Sequence, residues 1–293
     1  MKNIAFIINP ISGAKGTQQA KHSLPELIMR TLDLSQWQPE IVYTEYAGHA
    51  TELAQQFVQR GFDAVVSVGG DGTLNEVARG VRDTRTAIGI LPMGSGNGFA
   101  RHLNIPINVK AAIERLNHAK PTPIDYGLAN DELFVSTCGA GFDAVIADHF
   151  ASSTTRGFMT YFQNIIRLAF TYKPEVYHVI GDGIDETHKS FLVTIANANQ
   201  WGYGALIAPR ADLQDGQMDI MMMSRHAILG ALPLAARLFI GNIDRSPLMH
   251  TLRASDITLV REKTAPFHID GSPADMPKDI RIRIVHGGLY VLA

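Results

Sequence analysis

Hydrophobic and polar positions follow one pattern in the first part of the chain. Up to about residue 120, short apolar runs rich in β-branched residues are separated by stretches in which apolar residues recur at helical spacing. The runs predict strands buried on both faces, and the stretches predict amphipathic helices. The predicted strands are 4–8, 40–44, 64–68 and 87–91. The predicted helices are one ending near residue 34, then 49–60, 73–80 (with Gly80 at its C-terminus) and 109–119.

The pattern changes after Pro121, where strand-like runs follow one another directly. They cover residues 124–128, 133–138, 176–180, 191–196, 217–223, 256–260, 266–270, 280–285 and 289–292. Turn sequences join several of them, at 129–131, 181–183, 271–273 and 287–288. Two helical stretches interrupt them, at 157–171 and 227–240.

These patterns predict two domains with a cleft between them. Residues 1–124 are predicted to be an α/β domain with a parallel sheet and helices on both faces, because strands and helices alternate. Residues 125–293 are predicted to be a mainly antiparallel β domain, whose last strands pack back towards the first.

Three of the predicted parallel strands run into glycine-containing turns, at residues 9–16, 69–73 and 92–100. The carboxyl ends of such strands meet at one edge of the sheet, so we expect the three turns to converge there. Glycine adopts positive φ and lets an anion approach the main chain closely, and a helix N-terminus attracts phosphate. The turns therefore predict a phosphate-binding edge.

Asp71 lies inside the second turn, between Gly70 and Gly72. A carboxylate within an anion site is unfavourable unless a cation or a transferable proton accompanies it. We therefore expect Mg²⁺ or a substrate hydroxyl beside Asp71. An ordinary strand-to-helix turn with Asp71 as the N-cap residue explains the same sequence without any ligand.

Composition narrows the function classes. The formal net charge of −2 gives no general attraction to nucleic acid, and none is expected as a partner. Cys138 is the sole cysteine, so an intrachain disulfide is excluded and an intracellular setting fits. The apolar run 4–8 is too short for a secretory signal, and 227–240 is too short to span a bilayer. We expect a cytoplasmic protein, peripheral at the membrane.

The three turns also carry motifs with a family resemblance. They read Asn9-Pro-x-Ser12-Gly13, Gly69-Gly-Asp-Gly-Thr73-x-Asn75-Glu76 and Leu91-Pro-x-Gly94-Ser95-x-Asn97-x-Phe99-Ala100. Further motifs follow at Gly141-Phe-Asp-Ala144, Ala208-Pro209, Asp212-x-x-Asp215-Gly216-x-x-Asp219 and Asp270-Gly271. In this order and spacing they resemble the diacylglycerol kinase catalytic domain family, which includes bacterial lipid kinases and sphingosine kinases.

The resemblance implies an ATP-dependent kinase that phosphorylates a lipid hydroxyl, with a diacylglycerol-like or sphingoid acceptor and with nucleotide in the interdomain cleft. It implies nucleotide contacts from Asn9, Thr44, Gly69, Gly70, Asp71, Gly72, Thr73, Leu74, Asn75, Gly94, Ser95 and Asn97. It also implies a Mg²⁺ site at Asp212, Asp215 and the backbone carbonyl of Gln217, besides the Mg²⁺ that travels with ATP. A solvated loop is the alternative interpretation of this acidic turn.

Two positions depart from the family pattern. Gly98 replaces an acidic residue, and Ser272 replaces the glutamate usually assigned as the proton acceptor. Asp270 or Asp71 then takes the proton, or activity is lost or altered. If the segment is extended, Asp270 and Ser272 share a face.

Two alternative functions remain at this point. A nucleotide-binding regulator without catalysis fits Ser272. A NAD kinase-like enzyme shares Gly-Gly-Asp-Gly but does not account for the motif at 91–100.

The partners expected are a lipid substrate and, transiently, a membrane surface. The apolar stretches 157–170 and 227–240 would admit an acyl chain or rest on a bilayer. Packing of each helix on the sheet is the alternative. The sequence does not fix the oligomeric state, and a homodimer is compatible with it.

Overall fold

The computed structural model of the chain describes residues 1–13, 23–152, 168, 169, 171–224 and 231–293. They form two compact units. Met1–Tyr126 and His286–Ala293 make the first unit, and Gly127–Val285 make the second. We expected a boundary after residue 124; the units divide after Tyr126, and the C-terminal segment belongs to the first unit.

A parallel sheet is the centre of the first unit. Its strands, β1 (Lys2–Ile8), β2 (Trp37–Tyr43), β3 (Ala64–Gly69) and β4 (Ala87–Pro92), lie in the order β4-β3-β1-β2. Beyond β4, Val291 of the last strand, β15 (Asp279–Leu292), pairs in parallel with Ile88. Every residue of β3 and β4 is buried, as expected for apolar runs covered on both faces. The predicted α/β fold class of this unit is confirmed.

The helices of the first unit alternate with these strands. They are α1 (Leu24–Thr31), α2 (His49–Gln59), α3 (Asp71–Val81), α4 (Gly98–His102) and α5 (Val109–Leu116). All but the short α4 were predicted. The end of the first glycine turn and the residues before α1, 14–22, lie outside the described residues.

Gly80 has a packing role that the sequence did not indicate. We expected it to end its helix, but α3 continues to Val81. A Cβ built at Gly80 would lie 2.5 Å from the Cβ of Ala54 and 2.7 Å from the carbonyl oxygen of Thr51, both in α2. Glycine at this position therefore lets α2 and α3 pack closely.

The second unit consists mainly of antiparallel strands, as predicted. They are β5 (Pro121–Ala129, whose first residues belong to the first unit), β6 (Glu132–Phe134), β7 (Thr137–Gly141), β8 (Glu175–Gly181), β9 (Ile184–Ala196), β10 (Met218–Ser224), β11 (Met249–Ala254), β12 (Asp256–Arg261), β13 (Phe267–Ile269) and β14 (Ser272–Ala274). The strand order is β14-β13-β7-β9-β8-β12-β15, and β10 pairs with β9 and β11. A cluster that includes Phe134, Tyr177, Leu259 and Phe267 forms its core.

Some elements of this unit differ from the prediction. The helix α6 (Phe142–Ser152) was not predicted, because its apolar residues are not confined to one face. The helix α7 (Ala231–Ile240) confirms the second predicted helix, of which residues 227–230 lie outside the described part. Most of the predicted helix 157–171 also lies outside it.

Several strand predictions were wrong in extent, and the predicted strand 133–138 is divided between β6 and β7. The runs 280–285 and 289–292 form the single strand β15, which continues through the predicted turn at Gly287 and Gly288. Gly287 accommodates this with a φ of 62°. Strand β9 begins at Ile184 rather than at residue 191. Its first half was missed because half-buried and exposed side chains alternate there and do not form an apolar run.

Candidate functional site

The first and second glycine turns meet at the carboxyl ends of β1 and β3. The backbone N–H of Asn9 donates to the carbonyl of Val68 at 3.0 Å. The side-chain Nδ2 of Asn9 donates to Oγ1 of Thr73 at 3.1 Å. A Cβ on Gly69 would lie 2.5 Å from that same Oγ1, so only glycine fits beneath the threonine.

The third turn touches the second. A Cβ on Gly70 would lie 3.2 Å from the Cα of Gly94. Asn97, with a φ of 49°, closes this turn on itself: its Oδ1 accepts the N–H of Gly94 at 3.0 Å and its Nδ2 donates to the Gly94 carbonyl at 2.9 Å. The predicted convergence of the three turns is therefore confirmed.

Asp71 joins the second turn to the helix that follows the third. Its Oδ2 accepts the N–H of Gly98 at 3.2 Å and its Oδ1 accepts the N–H of Phe99 at 3.3 Å, both in the first turn of α4. The N-cap interpretation was wrong, because Gly70 is the N-cap residue of α3 and makes no side-chain cap. The negative carboxylate instead compensates the N-terminal amides of α4.

The start of α3 has the properties of an anion site. It is an eleven-residue helix that begins directly after a glycine turn, and its N-cap residue, Gly70, has no side chain with which to cap it. Gly72 is exposed, and among the described residues no atom outside its own helix backbone and chain neighbours lies within 4 Å of the place where its Cβ would stand. The first-turn amides of such a helix attract phosphate through their N–H groups and the helix dipole.

The remaining predicted nucleotide contacts differ in what they can offer. Ser95 is exposed, while Thr44, at the end of β2, is buried and donates its backbone N–H to the carbonyl of Ile8 at 2.9 Å. Asn75 is buried and accepts a hydrogen bond from Nε of Arg79 at 2.7 Å. Leu74 is only 2% exposed, so it offers a ligand only its main chain.

Glu76, the last residue of the second motif, supports the packing of two helices. Its Oε2 accepts the backbone N–H of Ala50 at 3.1 Å in the first turn of α2, and its carbonyl accepts the hydroxyl of Thr51 at 2.8 Å. The motif residue therefore caps a neighbouring helix.

Asp270 lies in a hairpin turn of the second unit, one residue beyond the end of β13, so the condition under which Asp270 and Ser272 would share a face is not met. Asp270 and Gly271 have φ values of 47° and 77° and connect β13 to β14, with Ile269 opposite Ser272. Two residues with positive φ make the type of tight hairpin turn for which Asp-Gly is favoured. The turn therefore explains this dipeptide structurally, whatever its chemistry.

Three backbone N–H groups hold the Asp270 carboxylate. Oδ2 accepts from Val135 at 2.9 Å, and Oδ1 accepts from Ser136 at 2.8 Å and from Thr137 at 3.0 Å. Hydrogen bonds to the charged form favour the ionised carboxylate. Asp270 is therefore a fixed negative charge.

A buried polar network lies next to this turn, and sequence reasoning missed it. Oδ2 of Asp143 accepts the hydroxyl of Thr194 at 2.6 Å and lies 3.2 Å from Nε2 of His268. Nδ1 of His268 accepts the N–H of Gly271 at 3.3 Å, so a neutral imidazole carries its proton on Nε2 and donates it to Asp143. The signal was a histidine within the apolar run of β13.

Cys138 lies between these carboxylates and remains a thiol. Burial raises its pKa well above the usual range, and the charges of Asp270 and Asp143 raise that pKa further. A thiol in such a setting is not a nucleophile.

The predicted magnesium ligands lie on an exposed turn of the second unit. Oδ1 of Asp212 accepts the N–H of Gln214 at 3.0 Å, and Oδ1 of Asp215 accepts the N–H of Gln217 at 3.0 Å. The guanidinium of Arg253, which the sequence did not identify, pairs with Asp215 and also, at 3.3 Å, with Asp219.

Asp219 follows this turn in the chain, in β10, and its carboxylate is buried. Burial raises its pKa, and the charge of Arg253 opposes that rise. Carboxylate and carbonyl oxygens are the ligand type that Mg²⁺ prefers, so the donor set fits that ion. The guanidinium of Arg253 already neutralises part of the negative charge of this donor set, because it pairs with Asp215 and Asp219.

The predicted site residues thus fall into separate groups. The turns bring together Asn9, Gly69, Gly70, Asp71, Thr73, Gly94 and Asn97 in the first unit. Asp270 and the Asp212–Asp215 turn belong to the second unit. None of the described helices is long and apolar enough to cross a membrane.

Sequence comparison finds a matching family over each unit. The profile of the diacylglycerol kinase catalytic domain matches residues 3–129. The profile of the YegS C-terminal NAD kinase beta sandwich-like domain matches residues 136–293. The second match covers more than half of the chain.

Individual relatives agree with these matches. The chain is 26% identical over 282 residues to a "Diacylglycerol kinase" of Bacillus subtilis, covering 94% of this chain and 91% of the relative. It is 30% identical over 204 residues to a "Probable lipid kinase YegS-like" of Pseudomonas putida, covering 68% of each. The fold is similar to the crystal structure of a diacylglycerol kinase from Bacillus anthracis, with a TM-score of 0.75, 20% identity, and coverage of 99% of this chain and 96% of that one.

Proposed function

Since the chain belongs to the diacylglycerol kinase catalytic domain family and is a lipid kinase, we propose that it transfers the γ-phosphoryl group of Mg·ATP to the hydroxyl of a diacylglycerol-like or sphingoid lipid. The observation that carries this proposal is the meeting of the three glycine turns in the first unit. Phosphoryl transfer depends chiefly on positioning and charge neutralisation. Turn amides and the α3 N-terminus are suited to both.

The triphosphate binds, in this proposal, to the main chain at the start of α3. Gly69, Gly70 and Gly72 let the phosphates approach the N–H groups, and Thr73 and Ser95 supply hydroxyl donors. Asn9 holds Thr73, and Asn97 shapes the turn that presents Ser95. Asn9 and Asn97 are thereby positioning residues for the cradle.

Asp71 is also assigned a positioning role. Its two carboxylate oxygens are engaged by the amides of Gly98 and Phe99, so it fixes the third turn against the second. This is a task for a permanent anion, because hydrogen bonds to the charged form of a carboxylate disfavour its protonation.

Asp270 is assigned to the acceptor hydroxyl. The transition state of phosphoryl transfer is loose in most analyses and demands little of a base before the new bond forms. An anion fixed by three amides suits the orientation of a hydroxyl better than the early removal of its proton. Ser272, two residues after Asp270 in the hairpin, leaves that task to the aspartate.

Magnesium would be held in the second unit by Asp212, Asp215 and the backbone carbonyl of Gln217. When bound there, the ion supplies positive charge to an acidic turn. Arg253 competes for Asp215. We therefore expect Arg253→Gln to lower the Mg²⁺ concentration that gives half-maximal activity.

The membrane is the proposed source of the lipid, reached through α7. Leu234 of this helix is buried, while Leu232, Phe239 and Ile240 are 86%, 61% and 72% exposed. Arg237 lies in the same helix. A helix with exposed large apolar side chains and a nearby cation suits the interface of an anionic bilayer.

The test is a transfer assay with the purified protein, Mg²⁺ and ATP labelled in its γ-phosphate. Separate reactions contain diacylglycerol, sphingosine or NAD as the acceptor. Label in the phosphorylated lipid supports the proposal. Label in NAD alone, or in none of the acceptors while ATP binds, contradicts it.

A further inference from the structure

A cluster of two histidines and a glutamate lies in the second unit, and none of its residues has a role in the proposed function. Oε2 of Glu186 lies 2.7 Å from Nε2 of His188 and 2.9 Å from Nε2 of His250. The two imidazole rings lie 4.4 Å apart, centroid to centroid. One ligand atom from each of the three residues can be chosen so that all lie within 4.8 Å of one another.

The three residues of this cluster come from two strands, β9 and β11, each of which is held in place by pairing with a neighbouring strand. Glu186 and His188 are two residues apart in β9, so their side chains leave the same face of the strand. They stand opposite Val179 and Tyr177 in β8. His250 belongs to β11, where it stands opposite Met222 of β10. The cluster therefore joins strands β9 and β11, which do not pair with each other along the described chain.

The chemistry of the cluster selects a class of ion. Two imidazole nitrogens and one carboxylate oxygen are ligands for divalent transition metals, whereas Mg²⁺ prefers oxygen. Bonds of about 2.0–2.1 Å in a tetrahedral site place ligand atoms about 3.3 Å apart. The hydrogen-bonded atoms would therefore have to separate by only about half an ångström.

The protons and the solvent access allow binding. Each neutral imidazole can carry its proton on Nδ1 and present the Nε2 lone pair to an ion, without net proton release. The side chains of Glu186, His188 and His250 are 39%, 32% and 44% exposed, so an ion and its water can reach them.

We propose that Glu186, His188 and His250 form a binding site for a divalent transition-metal ion, with water completing the coordination. The ion would tie β9 to β11 and would be bound independently of the Mg²⁺ used in catalysis. Zn²⁺ is the probe, and Co²⁺ reports the coordination, because its visible bands depend on ligand number and geometry.

The experiment titrates the tag-free, chelator-stripped protein with Zn²⁺ against a chromophoric competitor, with millimolar Mg²⁺ present to occupy oxygen sites. We expect one equivalent per chain with a dissociation constant below about 10 μM. His188→Ala and His250→Ala should each weaken binding by at least about tenfold. Glu186→Gln, which preserves the shape of the side chain, should also weaken it and serves if a histidine variant fails to fold.

The matched control is His178→Ala. His178 pairs with Asp185 at 2.6 Å on the opposite face of the β8–β9 pair, where there is one histidine and one carboxylate. This variant should bind Zn²⁺ as the parent does. Absence of Zn²⁺ binding by the parent, equal weakening by His178→Ala, or half an equivalent per chain with dimer formation would each overturn the proposal.

Discussion

Asp71→Asn tests whether the second and third glycine turns must be held together for catalysis. The carboxylate accepts the N–H groups of Gly98 and Phe99 at 3.2 and 3.3 Å. Asparagine keeps one acceptor oxygen but turns an NH₂ group towards the other amide. One charge-assisted hydrogen bond is lost, the other becomes neutral, and one amide loses this partner.

The size of the effect follows from these two bonds. Hydrogen bonds to a charged group contribute about 1.5–3 kcal/mol each and neutral ones about 1 kcal/mol. The bonds here are long and the site is half-buried, so the lower values apply and the ordered third turn loses about 2 kcal/mol. That is about 30-fold in its population. Misplacement of the bound phosphates adds to the loss, so we expect kcat/KM for ATP to fall about 30- to 100-fold.

The assay is steady-state transfer to the accepted lipid over a range of ATP concentrations and pH. A positioning role predicts that the loss falls largely on KM for ATP and that the pH profile keeps its shape. Asp33→Asn is the matched control, because the Asp33 carboxylate also accepts hydrogen bonds from a backbone N–H and a side-chain hydroxyl, both of Ser35. Asp33 lies before β2, at the amino ends of the strands. Activity of Asp71→Asn within a few-fold of the parent would refute the reasoning. A lost acidic limb in the pH profile would show instead that Asp71 takes the proton.

Three further outcomes are expected. Gly80→Ala should lower the free energy of unfolding by about 1–3 kcal/mol in urea denaturation, because its Cβ would overlap Ala54; an unchanged midpoint would contradict the packing role. The Cys138 thiol should resist alkylation at pH 8 in the folded protein and react after unfolding, since burial raises its pKa; rapid labelling of the native protein would be the contrary result. Phe239→Ser should reduce sedimentation with anionic vesicles several-fold while leaving turnover of a short-chain, soluble acceptor unchanged, and unaltered sedimentation would exclude α7 from membrane contact.

The sequence predicted the first unit well because its signals are local. Mainly apolar runs such as 64–68, in which Ser67 is the one polar residue, are typical of strands or buried helical segments, and the glycines after them decide between the two. Once the strands are parallel, their carboxyl ends meet, and the contact of Asn9 with Thr73 follows from topology. The sequence could not assign Asp71 to α4 because α4 was not predicted, and topology alone does not say which amides a carboxylate meets.

The second unit was less predictable because its contacts are distant in sequence. Asp270 binds the amides of residues 135–137, and His268 meets Asp143 across 125 positions. Nothing near either residue in the chain signals its partner. The turn at Gly287 and Gly288 was wrong for a different reason, since glycines favour turns but are also accommodated where a strand bends.

The anchoring of the β13–β14 turn has a consequence for position 272. The amides of residues 135–137 hold the Asp270 carboxylate, and the Gly271 amide donates to His268, so these contacts fix the turn without the side chain at 272. Ser272 itself is exposed. An exposed side chain at 272 therefore contributes little to the shape of the turn, so the residue at this position can vary without disturbing the anchoring of Asp270.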